Sequence, residues 1–584
     1  MSLLWPRDLD QETLNDGTEH LDILEEKPLR PFRRALVAAS GAQLAVLLAT
    51  IVVVSLCSFG QPVYHENDDC FLAMVGSGFG VALHPEPHLV FSHFGYGLLL
   101  GALTHLFGVY AHGFVTIFSI WLSMALFIDA GFTSGNPKLS AAVLIVGLGC
   151  VFFAALLSAE FTITAGALFG TAIASALTRG SHARSRIPVR DLAVVLALVL
   201  SYLIRPESFQ MGLIIVVPAL LVLRFNRLNQ NHRAGLLTIL LVAITIFGIA
   251  SEKLAYALSP AWRDIPEYND LRSDFVDYHR VPWSAEAPEY AKVNWSYYDY
   301  AMFNQWYMRD PIFSGKNLSF LVSHLAVPFS ATALSQIRDW FVLPFASLPL
   351  LLTLCAQVVI WGLLPKQTRL PGLLLLAGET MAISAAALTG REPLDYVWAT
   401  AAAVTLMGLC ALLISSRSEV LNSLGHCGLG IISVVGIIAL GCVLVAHNDE
   451  LRNAKDYRAW IARNREWLNG KVTVWSTGLR WEWLITPTRI YPPFPSLHMA
   501  SIDDINCMPV ETTMLQAMGI DDLAKDLCHN PETRLIAPVD LMGILPHFCA
   551  QHYGVLPVYR EAARWNDLGI YVLDHEHSST TASK

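Results

Sequence analysis

Short stretches of this sequence place ionisable side chains beside long apolar segments. Glu66-Asn67-Asp68-Asp69 follows closely on one such segment, and His84-Pro85-Glu86-Pro87-His88-Leu89 comes shortly after. Further on, Arg205 and Glu207 interrupt the otherwise apolar run Leu192–Leu223, while Glu160 and Arg391 flank other apolar runs. Acids and arginines at such positions are costly unless solvated, paired or used. A carboxylate can take the proton of an attacking hydroxyl, and the planar fork of a guanidinium suits a phosphate. Together they could serve group transfer from a phosphate-bearing donor, with a carboxylate as base and cations holding the departing phosphate.

Each residue also has a plainer reading. The acids of the first motif fit a solvated turn at the membrane edge, Arg205 fits an ion pair with Glu207 or Glu160, and Arg391 fits a loop charge. Gly76, Gly78 and Gly80 have the spacing of a nucleotide-binding loop but no strand-turn-helix unit around them, so a hinge is the better reading. His84, His88 and His93 are poor metal ligands as a set. Pro85 and Pro87 prevent the helix that would align the first two.

The elements that position these residues are set by composition. The chain has 584 residues, a mean hydropathy of +0.46, 54% hydrophobic and 15% charged residues, and a net charge of −9. Soluble domains carry roughly 25% charged residues. Uncharged blocks of about 18 or more residues read as membrane spans. They lie at 35–59, 112–130, 140–158, 160–178, 191–205, 208–224, 235–257, 346–364, 370–389, 394–414 and 427–446. The predicted fold is therefore an all-α polytopic membrane protein of about eleven transmembrane helices, with interfacial helices and a C-terminal extracytoplasmic α/β domain.

Positive charge sets the orientation. Lys27, Arg30, Arg33 and Arg34 precede the first span, and Arg179, Arg184, Arg186 and Arg190 cluster in one connection. Both groups fall inside only if the apolar block 89–108 lies along the outer interface. Its His93, His105, Ser92, Thr104 and four glycines suit that placement. This reading gives an acidic cytoplasmic tail at 1–34, a transmembrane domain at 35–446 with outside loops 60–111 and 258–345, and an outside domain at 447–584. The tail holds eight acids between Asp8 and Glu26 and no apolar core, which reads as a chain without a secretory leader. In the last domain, strands are expected at Val472–Trp475, Leu535–Val539, Val555–Tyr559 and Gly569–Leu573, with helices at 449–468, 510–529 and 540–552. A disulfide among Cys507, Cys528 and Cys549 fits an outside location, but spacing leaves the pairing open.

An acidic motif at the outer end of a span, followed by a His-Pro/Glu-Pro element leading into an interfacial helix, resembles the GT-C superfamily of membrane glycosyltransferases. The chain also resembles a bacterial multi-pass membrane family with no established activity. That likeness rests on Asn67-Asp68-Asp69, Ile204-Arg205-Pro206-Glu207-Ser208-Phe209 and Asp299-Tyr300-Ala301-Met302-Phe303 with Trp306. The first resemblance implies a polyprenyl-phosphate-linked sugar donor and a base at Asp68 or Asp69. It also implies an assisting or metal-positioning acid at Glu86, and an interfacial helix within Leu89–Gly108. Divalent magnesium or manganese, held by Asp68 and Asp69, belongs to the same expectation. Arg205, Glu207, Glu160, Arg391 and His88 are the candidates for substrate and phosphate binding.

The expected function is a plasma-membrane glycosyltransferase, inverting, that moves a sugar to an extracytoplasmic glycan, lipid or protein. Nothing points to nucleic acid. The rivals are a transporter or flippase, against which stands the lack of an inverted repeat, and a non-enzymatic scaffold.

Overall fold

The computed structural model describes residues 41–574, apart from 109–110, 179–187, 226–230, 279–280, 326–332, 417–422, 469–471, 477–479, 491–498 and 503–507. The cytoplasmic-tail reading, Arg179, Arg184, Arg186 and Cys507 fall outside the described residues.

The chain is a multi-pass membrane protein. Nine described helices are long and apolar enough to span, from Gly41–Gly60 to His426–Arg463, or ten if a bent pair is one span. That pair, Ser335–Ala346 and Leu348–Leu363, meets at 94°, where Pro349 occupies the first turn of the second helix. The difference from the expected eleven lies partly in Pro188–Ile204, whose 17 residues reach only about 25 Å at 1.5 Å per residue. Helix Phe94–Phe107, inside the block assigned to the interface, has 14 residues. At about 21 Å it is too short to cross a hydrocarbon core of about 30 Å.

The tightest helix pair is Phe161–Thr178 against Asp395–Ser415. Small residues permit it: a Cβ on Gly166 would lie 2.5 Å from the Thr400 side chain, and one on Gly170 would lie 3.1 Å from Val404 Cα. Such close backbone approach is the usual basis of helix association in lipid, where apolar surface alone gives little preference. At one end of this bundle Arg190 pairs with Asp129 at 2.9 Å. Asp68, Asp69 and Glu160 sit at the opposite end.

The last expected span, 427–446, and the helix expected at 449–468 are continuous. Ser423–Arg463 is one helix of 41 residues, carrying the last span directly into the C-terminal region. There β1 (Val472–Ser476), β2 (Met499–Ile502), β3 (Thr533–Pro538), β4 (Tyr559–Trp565) and β5 (Leu568–Leu573) form one mixed sheet in the order β2-β1-β3-β5-β4. β2, β1 and β3 run parallel, β5 is antiparallel to β3, and β4–β5 is an antiparallel hairpin. The last strand pair thus begins at Tyr559, later than the expected Val555. The helix expected at 510–529 is two, Pro509–Ala517 and Leu523–His529, separated by Gly519 at a φ of 71°.

The loop 258–345 and the C-terminal region share a core in which Phe275, Trp295, Phe303 and Phe313 pack with Phe548, Val474 and Leu535. Most of the aromatic-rich loop is therefore core. Cys528 and Cys549 form a disulfide in this region. A polar latch closes the same joint. Asp299 is fully buried and accepts from His552 Nε2 at 2.6 Å, Gln551 Nε2 at 2.8 Å and Ser296 N at 2.6 Å. The hydrogen bond to Asp299 holds the His552 pKa above its ordinary value. Against the pull of burial, His552 and the other donors hold Asp299 below its own.

A raised folded-state histidine pKa gives stability that is present below about 6.5 and lost as pH rises through the folded value. The depressed aspartate gives stability present above about 3.9 and lost as pH falls through its folded value. Amide protection factors in Tyr297–Asn304 and Leu545–Tyr553, taken relative to base-catalysed intrinsic exchange, are therefore expected to fall on the alkaline side. His552→Gln should remove that dependence. An unchanged alkaline response in the variant would show that the latch does not carry it.

Candidate active site

Helix Asn67–Ser77 opens with the two adjacent acids and is buried along nearly its whole length. Neighbouring residues on a helix point about 100° apart, and here that offset separates Asp68 from Asp69. Asp69 turns inward and is fully buried. His112 Nε2–H donates to its Oδ1 at 2.9 Å, and the Tyr96 hydroxyl donates to His112 Nδ1 at 2.9 Å. That relay fixes one imidazole tautomer and anchors the start of the helix. Asp68 turns the other way and lines a cavity of about 390 Å³.

Three arginines line the cavity with it. Arg205 sits where Pro206 starts a new helix, since proline's fixed φ and missing N–H suit a first helical turn. Its Nη1 donates to the Phe91 carbonyl at 2.8 Å, its Cζ lies 4.8 Å from the Phe161 ring centroid, and its Nε lies 3.2 Å from Glu207 Oε2. The ion pair with Glu207 and the place beside Asp68 thus occur together. Arg272, from the 258–345 loop, is almost fully buried, with Nη2 on Asn269 at 2.8 Å, Nη1 3.4 Å from Asp277 and Cζ 4.7 Å from the Trp306 ring centroid. Trp306 has a φ of 63°, a left-handed conformation costly for a bulky residue and concentrated at functional sites. Arg391 follows Gly390, whose φ of 90° supplies the turn. Among the described residues its guanidinium has no ion-pair partner within 4 Å.

The charges act on one another. Burial pushes the Asp68 pKa up, and Arg205, Arg391 and Arg272 pull it part of the way back. Burial carries Glu160 and Glu66, which line the same cavity, to about 7. Burial likewise raises Asp69, with the neighbouring Asp68 charge adding to it. Glu66 and Glu160 thus gain negative charge as pH rises through neutrality, so an anionic ligand should bind several-fold tighter at pH 6 than at pH 8. Glu160→Gln should flatten that profile, and an unaltered profile in the variant would remove Glu160 as its cause.

Five of these residues, Arg205, Glu207, Tyr278, Arg391 and Tyr396, also form the polar end of a groove of about 360 Å³. Met211, Ile214, Ala382, Ala385 and Ala386, from two membrane helices, line its apolar part.

The structure thus brings together Asp68, Glu160, Arg205, Glu207 and Arg391. It does not bring Glu86 and His88 to them. Glu86 Oε1 is 2.5 Å from His88 Nδ1, and His88 stacks on Trp262 at 5.0 Å; neither lines the cavity. Asp68 and Asp69 do not present a joint metal-ligand set, because Asp69 is engaged by His112 away from the cavity. Among the described residues the His/Cys/Asp/Glu group whose ligand atoms converge within 4.8 Å is His65, Glu66 and Asp395. Although burial pulls His65 down, Asp395 and Glu66 hold its pKa at about 9, so it behaves as their cation. The residues missed from sequence are Arg272 and Trp306. Arg272 lies in an ordinary acidic stretch with no local signal to mark it, whereas Trp306 enters only through the multi-pass family resemblance, with no role attached.

No protein-family model matches the chain, and no curated protein sequence matches it. Among solved structures it is similar to ArnT from Cupriavidus metallidurans bound to undecaprenyl phosphate, at 12% identity, covering 90% of this chain and 97% of that one with a TM-score of 0.38. The apo state of ArnT from the same organism gives 12% identity, 91% and 98% coverage and a TM-score of 0.37.

Proposed function

We propose that this chain is an integral membrane glycosyltransferase of GT-C type, inverting at the anomeric carbon, with a polyprenyl-phosphate sugar as donor and an extracytoplasmic acceptor. One observation carries the reading: a carboxylate and three arginines share a cavity that continues into an apolar groove between membrane helices. An anionic head with a long apolar tail fits that junction, the head between Arg205 and Arg391 and the tail along Met211 and Ile214.

In this scheme the acceptor hydroxyl oxygen bonds to the anomeric carbon as its proton passes to Asp68. The bond from that carbon to the phosphate oxygen breaks, and the electron pair leaves with polyprenyl phosphate. The guanidiniums stabilise the charge gathering on the phosphate, and a single displacement inverts the carbon. Burial raises the Asp68 pKa towards working pH, which strengthens a general base. Asp69 positions the helix. Glu86 and His88, tied to each other outside the cavity, take no part.

The outside placement of the C-terminal region is supported by its disulfide, since such bonds persist in oxidising compartments. The test of function uses the purified full chain with a lipid-phosphate sugar, following release of polyprenyl phosphate and product configuration by NMR. Product with retained configuration would remove the single-displacement scheme. Movement of the lipid without bond cleavage would replace transfer by transport.

A further inference from the structure

On the other side of Tyr396 lies a second cleft, of about 390 Å³. Tyr396 lines it and lines the Asp68 cavity too, so whatever fills the cleft abuts the place of chemistry. Its walls come from five membrane helices, Pro137–Leu157 with Cys150 and Ala154, Phe161–Thr178 with Ile163, and three more. Of these three, Leu350 stands on the first, Ala399 and Ala402 on the second, and Val443 and Ala446 on the third. Ala446 and its neighbours Leu444 and Val445 are exposed on the helix surface, so this wall faces lipid. The cleft is graded, with small apolar residues along the helices and His65, Asp395 and Glu450 at the outer end.

Two observations identify the chemistry of an occupant. The first is charge. Asp395 and Glu450 stand at the rim, and the one cation among the described lining residues, His65, is already shared between Asp395 and Glu66, which disfavours an anionic head. The groove on the opposite side carries Arg205 and Arg391. The second is His447, which is 5% exposed. Its Nε2 lies 2.6 Å from the Gly60 carbonyl, and a carbonyl can only accept, so Nε2 carries the proton. In the neutral ring Nδ1 is then an acceptor, and this buried atom of a cleft-lining residue has no hydrogen-bond partner among the described residues. Buried polar atoms are nearly always paired. A hydroxyl can supply the missing donor, whereas a phosphate dianion has no proton to give.

We propose that this cleft receives the acceptor, and that the acceptor is a membrane amphiphile with an uncharged, hydroxyl-bearing head. The word acceptor rests on the glycosyl-transfer reading; the amphiphile site does not. Donor and acceptor lipids then approach Tyr396 from opposite sides, sorted by head-group charge. The head's hydroxyl oxygen forms the new bond to the anomeric carbon and gives its proton to Asp68, and the phosphate departs into the arginine-lined groove.

The test uses the full chain in phosphatidylcholine vesicles with two photoreactive probes that share one diazirine-bearing alkyl chain. One ends in a glucoside and the other in a phosphate monoester. Peptide mapping after irradiation should find the glucoside probe on segments 350–353 and 443–446 at least ten-fold over the phosphate probe, and the phosphate probe on 211–214 and 382–386. Ala446→Trp should abolish the glucoside labelling and spare the phosphate labelling. Leu350→Trp should do the same from the opposite wall and stands in if the first variant does not fold.

Equal labelling of the cleft by both probes overturns the proposal. So does absence of glucoside labelling there while the groove still takes the phosphate probe. Undiminished transfer to a water-soluble acceptor by Ala446→Trp, at wild-type donor labelling, overturns the acceptor assignment alone. Both labelling patterns intact, with no transfer from any lipid-phosphate sugar, sinks the transfer reading and the acceptor role with it, and leaves the cleft as an amphiphile site.

Discussion

Asp68→Asn is expected to lower sugar transfer about 100-fold or more at unchanged expression and fold, the scale that general-base contributions reach. The change keeps the size of the side chain and its place on the Asn67–Ser77 helix, and removes the proton acceptor. Because Asp68 already lies beside three guanidiniums, losing its charge should leave donor binding intact or tighter. The loss should therefore fall on kcat. The wild-type rate should also decline on the acid side as pH falls through the raised Asp68 pKa, and Asp68→Asn should lack that limb. Asp69→Asn behaves differently in kind. It weakens a fully buried hydrogen bond from His112 and should appear first as lost stability, because disturbing a buried hydrogen-bond partner costs about 1–3 kcal/mol. Full-rate transfer by Asp68→Asn would remove it as the base, whatever the fate of Asp69.

The membrane architecture was legible because run length carries its signal directly: a block of uncharged residues has few other uses. Asp449, Glu450 and Arg452 follow the expected last span, 427–446, and there the helix runs on into the one expected at 449–468. No glycine or proline occurs between Gly441 and Arg463, so no helix stop stood behind those charges, and the helix simply leaves the bilayer and continues. The helix Asn67–Ser77 was hidden for the opposite reason. Almost every side is buried, so it shows no amphipathic period, and its acids read as a turn.

The site was legible where a charge broke an apolar run. Arg205, Glu160 and Arg391 met that test, and the structure gathers them around Asp68. Glu86 was assigned by motif order along the chain, and chain order does not fix distance. Its nearest partner is its own neighbour His88. Arg272 shows the limit from the other side. It stands in the exposed-looking stretch Asp270-Leu271-Arg272-Ser273-Asp274, and only the folding of the 258–345 loop on itself brings it to Asn269, Asp277 and the Trp306 ring.

The largest effect on donor binding is expected at Arg391. Arg205 shares its charge with Glu207 and Arg272 with Asp277, so both are partly spent before any ligand arrives. Arg391 has no such ion pair among the described residues, and the carboxylates of Asp277 and Asp68 with Tyr396 and Tyr278 hold its charge in place against the pull of burial. Truncating one member of a buried, hydrogen-bonded charge pair costs about 2–5 kcal/mol. Arg391→Ala should thus raise the donor KM by about 30-fold or more. Arg391→Lys should recover only part of this, since a lysine cannot reproduce a bidentate guanidinium contact. Arg205→Ala should cost less, because Glu207 already takes part of its charge and that exposed carboxylate returns to water when released, and the double variant should show how far the two share one phosphate. An Arg391→Lys enzyme with a wild-type donor KM would mean that no planar contact to phosphate is made there, and would return Arg391 to a simple loop charge.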